Sequence, residues 1–394
     1  MAGTLFIVGG GMRRSAEEIF SALIAAAGGP DNKFAFIVTA SGSEPDDTFR
    51  SYAEDFANLG VARENCVLIP LYASHVRDER GYNAMTGDAD GLTELLAGVR
   101  GVWFTGGDQY FVAQTFLRKD GSDTRLLTAL RKLYEQGGVI GGSSAGAAIM
   151  SRVMIGEGSN RGVLAQGVTY GYDGYDERSE EENPCAPLLL AQGLGFFTEG
   201  IVDQHFNRRP RLMRSIEACL VNRENVRTAF AVSEDTALVY SGGNIAVLGS
   251  ACVYIIDCRT AVKTGNGCYE GIALHAIQKG DSYDCTARVV TLSREFPFEA
   301  HDYARDYVNC GIPGSPAFDE MMAKYMFCCA DANLYFCEKR KLPYVKGAAV
   351  YEGEGKTYLV IPQYFRSPET KGYMAECASF ASVELAIKTL ELNV

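Results

Sequence analysis

The sequence predicts an α/β fold: a mainly parallel sheet with helices on both faces, an antiparallel extension, and a small appended C-terminal α+β domain. In the first part of the chain, short apolar runs alternate with helical patterns, which is typical of a parallel sheet buried on both sides. After residue 225, short strands follow one another with no room for crossover helices. Beyond residue 295, helical and strand-like segments are mixed.

The parallel sheet begins with residues 5–8, an apolar run that ends in three glycines. A helical pattern over residues 15–27 follows it, with Ser15 as a candidate N-cap. The same order recurs: strands are predicted at residues 34–38, 66–70, 101–104 and 138–141, and helices at residues 47–59 and 109–116 and from residue 145. Ligands of such sheets collect beyond the carboxyl ends of the strands, so functional residues are expected at that edge.

The rest of the chain predicts the extension and the C-terminal domain. Strands of the antiparallel extension are expected at residues 228–232, 237–240, 245–248 and 252–257. The C-terminal domain is expected to contain helices at residues 315–335 and 375–390 and strands at residues 348–351 and 358–361. We therefore divide the chain into a domain of residues 1–294 and an extension of residues 295–394.

Composition and charge exclude several classes of protein. Hydrophobic residues make up 47% and charged residues 22% of the 394 residues, as in globular proteins. The formal net charge of -12 disfavours binding to nucleic acid or to an anionic membrane. The twelve cysteines form no CxxC pair and no signal-peptide pattern is present, so we expect the cytoplasm. Without HExxH, GxxxxGK[ST] or a complete GxGxxG, we expect no metal and no cofactor.

A candidate nucleophile lies at the end of a predicted strand. Residues 141–147 read G-G-S-S-A-G-A, and Ser144 stands between Gly142 and Gly146 as the pattern G-x-S-x-G requires. Small neighbours allow a tight turn that exposes the hydroxyl, with backbone N–H groups of the next helix beside it. Clusters of glycine and serine also form ordinary strand-to-helix turns, so the interpretation depends on a base elsewhere in the chain.

The candidate base is His205. A serine hydroxyl is a poor nucleophile unless a neighbouring group removes its proton, and histidine is the usual base. His205 follows the short apolar strand predicted at residues 200–203, so we expect it at the same edge of the sheet as the serine. The other histidines are interpreted as structural: His75, His275 and His301.

The third member of such a triad is a carboxylate that orients the imidazole. We choose Glu234, which follows the strand predicted at residues 228–232. Asp235, Asp203 and the more distant Glu157 remain alternatives, because the sequence does not give their distances from the histidine.

Three further segments predict how a substrate is held. The loop at residues 104–109 supplies glycine N–H groups for an oxyanion hole, to which we assign Gly107 together with Ala145. Four arginines within residues 208–214 can bind carboxylates through paired hydrogen bonds. Residues 172–182 carry six acidic side chains, and they form either a solvated loop or a lid that attracts cationic substrate.

Four of these segments, in this order, resemble the cyanophycinase family, serine hydrolases related to the aspartyl dipeptidases of peptidase family S51. They read T-G-G-D-Q at residues 105–109, G-S-S-A-G-A at 142–147, D-Q-H-F at 203–206 and E-D-T-A at 234–237. The resemblance implies that Ser144 is the nucleophile, His205 the base and Glu234 its partner. It also implies a three-layer α/β domain, often a homodimer, with these substrate-binding residues: Gln109, Asp203, Gln204, Arg209, Arg211 and Arg214.

Members of this family cleave cyanophycin, a poly-aspartate chain with arginine attached to each side-chain carboxylate, and release β-aspartyl-arginine dipeptides. The resemblance implies that this chain does the same through an acyl-enzyme. Two alternatives stay open: an aspartyl dipeptidase acting on short peptides, and a non-catalytic binding protein on the same scaffold. A glutamine-amidotransferase-like protein is disfavoured, because its elbow should carry cysteine. The chain departs from the family in two ways: it has the additional residues 295–394, and its first glycine loop lacks an acidic residue. Both departures bear on which substrate is cleaved and not on the hydrolase chemistry.

Overall fold

A computed structural model describes residues 3–173, 175, 186–209, 211–294, 349–353, 356–374 and 378–392. Its helices are α1 (Ala16–Ala26), α2 (Pro45–Asn58), α3 (Gln109–Phe116), α4 (Arg125–Glu135), α5 (Ala145–Ala148), α6 (Asn160–Gln166) and α7 (Leu212–Val221). Its strands as far as residue 203 are β1 (Thr4–Val8), β2 (Lys33–Ile37), β3 (Cys66–Leu68), β4 (Val99–Phe104), β5 (Val139–Ser143), β6 (Val153–Glu157), β7 (Val168–Tyr170), β8 (Leu188–Gln192) and β9 (Ile201–Asp203).

The later strands are β10 (Thr228–Val232), β11 (Thr236–Ser241), β12 (Asn244–Gly249), β13 (Val253–Asp257), β14 (Val262–Gly265), β15 (Cys268–Ile277), β16 (Ser282–Asp284), β17 (Val289–Thr291), β18 (Ala349–Gly353), β19 (Lys356–Met374) and β20 (Ala378–Leu392). The helix predicted at residues 315–335, His301 and most of the acidic segment 172–182 lie outside the described residues.

The first sheet has nine strands in the order β17-β16-β12-β11-β1-β5-β4-β2-β3. Its strands β1, β5, β4, β2 and β3 are parallel, whereas β11, β12, β16 and β17 extend it in antiparallel fashion. Val8 of β1 pairs with Ser143 of β5 on one side and with Ala237 of β11 on the other. The predicted α/β fold with a mainly parallel sheet and an antiparallel extension is therefore confirmed.

Helices pack on both faces of this sheet because its central strands are apolar on both sides. On one face, the ring of Phe20 in α1 lies 5.1 Å from that of Phe56 in α2 and 5.0 Å from that of Trp103 in β4. On the other face, Phe104 of β4 shares a buried core with residues of α3, α4 and α5 and with Phe230 of β10. A second sheet therefore lies against the same core as α3 to α5.

The second sheet has the order β18-β19-β20-β15-β13-β10-β9, with β14 beside β15. Only β9 and β10 are parallel among its described pairs. The four strands predicted for the antiparallel extension divide between the two sheets: β11 and β12 extend the first, whereas β10 and β13 belong to the second. The reason lies in residues 233–235, where Asp235 adopts a left-handed φ of 57° and the chain crosses between the sheets. Consequently His205 follows a strand of a different sheet from Ser144.

The C-terminal segment corrects another expectation. Residues 375–390 were expected to be helical, but β20 covers residues 378–392 and pairs with β15 and β19. Val383, Leu385 and Ile387 are buried, as is Ala386, while Glu384 and Lys388 are exposed, and β20 continues the second sheet by pairing along the edge of β15. The strand predicted at residues 348–351 overlaps β18, which begins at residue 349, and the strand predicted at residues 358–361 falls within β19. The domain boundary at residue 295 stays a prediction. The strand β20, which follows this boundary in the chain, pairs with β15, which precedes it.

A short third sheet, β6-β8-β7, packs beside α6. None of the helices in the described ranges combines the length and the apolar character needed to cross a membrane. In the same part of the chain, no three His, Cys, Asp or Glu side chains come close enough to bind a metal ion together.

Candidate active site

Ser144 occupies a sharp turn between β5 and α5. Its backbone has φ 56° and ψ -111°, an unfavourable conformation for a residue with a Cβ, and its N–H donates to Val8 O at 3.0 Å. A Cβ added to Gly142 would lie 2.3 Å from Gly146 O, and one added to Gly146 would lie 2.4 Å from Phe104 O. The two flanking glycines are therefore required by space, and the predicted strand, turn and helix are present.

His205 lies beside this turn although it follows β9 of the second sheet. Its N–H donates to Gly9 O at 2.7 Å, and its backbone φ is 52°. The ring nitrogen Nε2 lies 2.8 Å from Ser144 Oγ, and Nδ1 lies 2.7 Å from Glu234 Oε1. Because a carboxylate only accepts hydrogen bonds, Nδ1 carries the proton and Nε2 accepts from the serine hydroxyl. The three residues thus form one continuous chain of hydrogen bonds.

The other candidate acids lie elsewhere. Asp235 Oδ1 accepts the backbone N–H groups of residues 13–15 before α1, and its Oδ2 accepts from Ser250 Oγ at 2.8 Å. Asp203 is paired with Arg214, with Nε 3.0 Å from Oδ2. Glu157 is the last residue of β6. Glu234 is thus the carboxylate that the structure brings to the imidazole.

The first glycine loop shapes this site, which the sequence reasoning missed. Gly10 O accepts from Asp235 N at 2.8 Å, next to Glu234. A Cβ on Gly10 would lie 2.3 Å from His205 Cε1, and one on Gly11 would lie 2.5 Å from Glu234 Oε2. The three glycines after the first strand were the available signal, because a glycine run at a strand's carboxyl end allows close approach of other groups.

Burial and positive charge keep the imidazole of His205 neutral. Its side chain is 12% exposed, and burial, with Arg211 and then Arg209, lowers its pKa to about 4, although Glu234 acts in the opposite direction. A neutral imidazole at pH 7 can accept the proton of a hydroxyl. The imidazole is therefore unprotonated at neutral pH, as a general base must be.

The residues assigned to an oxyanion hole lie on either side of the serine. Ala145 is the first residue of α5, directly after Ser144. A Cβ on Gly106 would lie 3.8 Å from Ser144 Oγ, so the loop after β4 passes beside the hydroxyl. Gly107 has φ 133°, and a Cβ there would lie 1.8 Å from Ala40 O, which explains the need for glycine. The assignment of Gly107 and Ala145 to an oxyanion hole stays a prediction, with the loop after β4 passing near the serine hydroxyl.

The predicted substrate-binding residues divide into two groups. Arg211 and Arg214 are both buried: Arg211 Nη1 donates to Gln204 Oε1 at 2.8 Å, and Arg214 Nη2 donates to Asp203 Oδ1 at 2.5 Å. Burial alone disfavours ionisation of Asp203, but Arg214, Arg211 and the Ser215 hydroxyl together lower the carboxyl pKa. Arg211, Arg214, Asp203 and the neutral Gln204 thus form an internal polar cluster beside His205.

The second group is less enclosed. Arg209 is half-buried, and its N–H donates to His205 O at 3.0 Å. Gln109 opens α3, and its side-chain amide donates to Gly156 O of β6. Asn207, which sequence reasoning did not single out, accepts from Glu234 N through Oδ1 at 2.9 Å. Among the three arginines predicted to bind substrate, Arg209 is therefore more exposed than the buried Arg211 and Arg214.

Comparisons with known proteins identify the family of this chain. Residues 5–248 match the model of peptidase family S51. The cyanophycinase of Synechococcus elongatus is 27% identical over 294 residues, which cover 72% of this chain and 79% of the relative. The cyanophycinase of Geminocystis herdmanii (strain PCC 6308) is 30% identical over 298 residues, which cover 72% of this chain and 94% of the relative.

Among solved structures, a peptidase from an acI-B1 Actinobacterium is similar with a TM-score of 0.47 and 22% sequence identity, over 72% of this chain and 97% of that one. The family model covers more than half of the sequence, from the first strand to β12. This chain therefore belongs to peptidase family S51.

Proposed function

We propose that this protein is a serine-type cyanophycinase, which cleaves the aspartyl backbone of cyanophycin and releases β-aspartyl-arginine dipeptides through an acyl-enzyme. The observation that carries the proposal is the hydrogen-bond chain from Ser144 Oγ through His205 to Glu234 Oε1, at 2.8 and 2.7 Å. The names of the two relatives favour this substrate over others.

The reaction begins when Ser144 Oγ attacks the carbonyl carbon of an aspartyl peptide bond. Its proton passes to His205 Nε2, and Glu234 stabilises the imidazolium that forms. The N–H groups of Gly107 and Ala145 bind the negative oxygen of the tetrahedral intermediate. His205 then returns the proton to the leaving amine, and the carbon–nitrogen bond breaks. A water molecule, deprotonated by His205, cleaves the acyl ester and restores the serine hydroxyl.

The positive charges near His205 make the pKa of its imidazole depend on whether substrate is bound. Arg209 and Arg211 lower the pKa of His205 in the free protein, after the larger effect of burial. A substrate carboxylate bound at Arg209 offsets part of that positive charge, so the imidazolium forms at lower cost once substrate is in place. Binding and proton transfer are thus coupled through the same arginine. In this scheme Asp203, Arg211 and Arg214 are buried beneath the substrate pocket and hold its walls in place through their hydrogen bonds.

The test compares the wild-type protein with Ser144→Ala and Ser143→Ala, the latter a matched control at the neighbouring serine. Each is incubated with cyanophycin and with short aspartyl peptides, and products are identified by mass. We expect dipeptides from cyanophycin with the wild type and the control, and none with Ser144→Ala. Equal release by all three proteins contradicts the proposal, and cleavage of short peptides but not polymer supports an aspartyl dipeptidase instead.

The family resemblance also leads us to propose a cytoplasmic homodimer. Sedimentation equilibrium of the pure protein tests the dimer, because the monomer has a mass of 42.7 kDa. A single species at the monomer mass over the whole concentration range contradicts it.

A further inference from the structure

Glu234 lies in the segment that crosses between the two sheets, and its backbone N–H is bound by a side chain. The segment follows β10 of the second sheet and precedes β11 of the first. The neighbouring Asp235 N donates to a backbone oxygen, Gly10 O, at 2.8 Å. Glu234 N donates instead to Asn207 Oδ1 at 2.9 Å. One amide side chain thus holds the backbone of the residue whose carboxylate contacts the imidazole.

Asn207 belongs to the turn that carries the candidate base. It stands two residues after His205, in a turn that Arg208 N and Arg209 N close by donating to His205 O, each at 3.0 Å. The side chain of Asn207 is half-buried, and its amide oxygen faces Glu234 because a backbone N–H only donates. This hydrogen bond therefore joins the loop of the base to the loop of its partner.

Three loops meet at the contact between His205 and Glu234, and hydrogen bonds join them. His205 N donates to Gly9 O at 2.7 Å, and the residue after Glu234 donates to the same glycine loop. These two bonds run between backbone atoms, so replacement of a side chain leaves both partners in place. The bond from Glu234 N to Asn207 Oδ1 depends on a side chain. Removal of that side chain loosens the link between base and carboxylate alone.

The charged neighbour of Glu234 constrains it less than Asn207 does. Arg208 Nε lies 3.9 Å from Glu234 Oε2, and the arginine side chain is 59% exposed. An ion pair at so exposed a position contributes little, because solvent screens it and a long side chain loses rotamer freedom. The other oxygen, Oε1, accepts from His205 Nδ1 at 2.7 Å. The backbone of Glu234, which Asn207 holds, therefore determines chiefly where the carboxylate lies.

We propose that Asn207 is a positioning residue, which keeps the Glu234 carboxylate in line with His205 Nδ1 by binding the Glu234 backbone. In this role it contacts neither the substrate nor the reacting atoms and acts only through Glu234. The inference rests on the proposed function for the role of His205 as the base, but it does not depend on which substrate is cleaved. Aspartate at this position keeps an acceptor oxygen and adds a negative charge, so Asn207→Asp tests the hydrogen bond separately from the charge.

The experiment first observes the contact between imidazole and carboxylate by proton NMR. A proton that a ring nitrogen donates to a carboxylate resonates far downfield of ordinary amide protons, and its disappearance in His205→Ala assigns it. Asn222→Ala is the matched control for Asn207→Ala, since Asn222 is also half-buried and its Oδ1 accepts from Val226 N at 2.9 Å, outside the site. We expect the resonance in the wild type and in Asn222→Ala, and its loss in Asn207→Ala.

Kinetics then separate positioning from substrate binding. Because a misplacement of about 1 Å can cost about 10²-fold in rate, we expect kcat of Asn207→Ala to fall by about 10- to 10²-fold. The KM should stay within about twofold of the wild type, since no contact with substrate is removed. Labelling of Ser144 by a fluorophosphonate should slow by a factor similar to that for kcat. Asn222→Ala should keep both rates of the wild type.

Asn207→Asp should restore what the alanine variant loses. Its carboxylate accepts from Glu234 N, so the downfield resonance and, at alkaline pH, the labelling rate of the wild type should return. The added negative charge acts with Glu234 and against Arg211 and Arg209, so the pKa of His205 rises above about 4 and the acid limb of kcat/KM moves to higher pH. A merely structural role of residue 207 would move neither the limb nor the resonance.

A folded Asn207→Ala protein with the resonance and the labelling rate of the wild type overturns the inference. An equal loss of kcat in Asn222→Ala also overturns it, and so does a wild type without the resonance. If thermal melting shows that Asn207→Ala is unfolded, Asn207→Asp decides, and an acid limb at the wild-type pH contradicts the inference. Failure of the proposed function is a separate outcome: a wild type that releases no dipeptide from cyanophycin refutes the substrate, while the resonance still tests Asn207.

Discussion

Replacement of Gly10 by alanine tests whether the first glycine loop fixes the imidazole of His205, the base that we propose. The added Cβ would lie 2.3 Å from His205 Cε1 and 2.5 Å from Nε2. Carbon atoms in contact are normally about 3.5 Å apart, so ring and loop must separate by roughly 1 Å. The backbone of His205 is held by the hydrogen bond from its N–H to Gly9 O, so the imidazole ring moves instead. The 2.8 Å hydrogen bond between Nε2 and Ser144 Oγ is then lost.

A misplacement of about 1 Å in a catalytic group can cost about 10²-fold in rate, and loss of the whole unit costs about 10⁶-fold. We therefore expect kcat for dipeptide release to fall by about 10² to 10⁴ in Gly10→Ala, with little change in KM. The assay follows product by mass under saturating substrate. The same displacement should slow modification of Ser144 by a fluorophosphonate.

Gly29→Ala is the matched control for backbone strain. Gly10 has φ 96° and Gly29 has φ 102°, but a Cβ on Gly29 has no atom within 4 Å. Both variants incur the left-handed penalty of about 1–2 kcal/mol in stability, whereas only Gly10→Ala disturbs His205. A folded Gly10→Ala protein that keeps wild-type kcat refutes the reasoning.

Three further predictions concern protonation and buried charge. The acid limb of kcat/KM should fall near pH 4 instead of 6.5, because burial and nearby arginines lower the pKa of His205 to about 4; a rate profile with a limb near 6.5 contradicts this. Asp235→Ala should lower the free energy of unfolding in urea by about 1–3 kcal/mol, since it leaves three backbone N–H groups without their acceptor; unchanged stability contradicts it. Asp203→Asn should cost about 3–5 kcal/mol in the same assay, because the buried guanidinium of Arg214 loses its counter-charge; a loss within error contradicts it.

The pH dependence of stability follows from the same groups. Burial lowers the pKa of His205 and of His275 to about 4 from 6.5, so the unfolded chain binds more protons between those values. The contribution of these two histidines to the free energy of unfolding is fully present above pH 6.5 and is lost as the pH falls towards 4. The pKa of Asp203 is lowered by Arg214 against the effect of burial, so its contribution is lost at lower pH, below the ordinary carboxyl value.

The sequence was informative where function requires unusual local structure. A serine between two glycines, at the junction of strand and helix, predicted the turn that the structure contains at Ser144, because only small neighbours fit it. His205 and Glu234 were chosen for following short apolar strands, and both do follow strands, β9 and β10. A polar residue that directly follows a short apolar strand can therefore be recognised in the sequence as a candidate site residue.

Long-range pairing was beyond the sequence pattern. The strands β10 and β11 are separated by three residues yet belong to different sheets, and only the turn at Asp235 and its bonds to residues 13–15 determine that. For residues 378–392, good helix propensity indicated a helix, but pairing with the edge of β15 selects a strand.

The most direct measurement of the central claim is the site of covalent modification by a fluorophosphonate, mapped by mass spectrometry on wild type and on His205→Ala. A hydroxyl that donates to a neutral, carboxylate-bound imidazole should react rapidly, and we expect one adduct, on Ser144, that forms far more slowly without the imidazole. Reaction at Ser144 at the same rate in both proteins, or no reaction there in the wild type, contradicts the account.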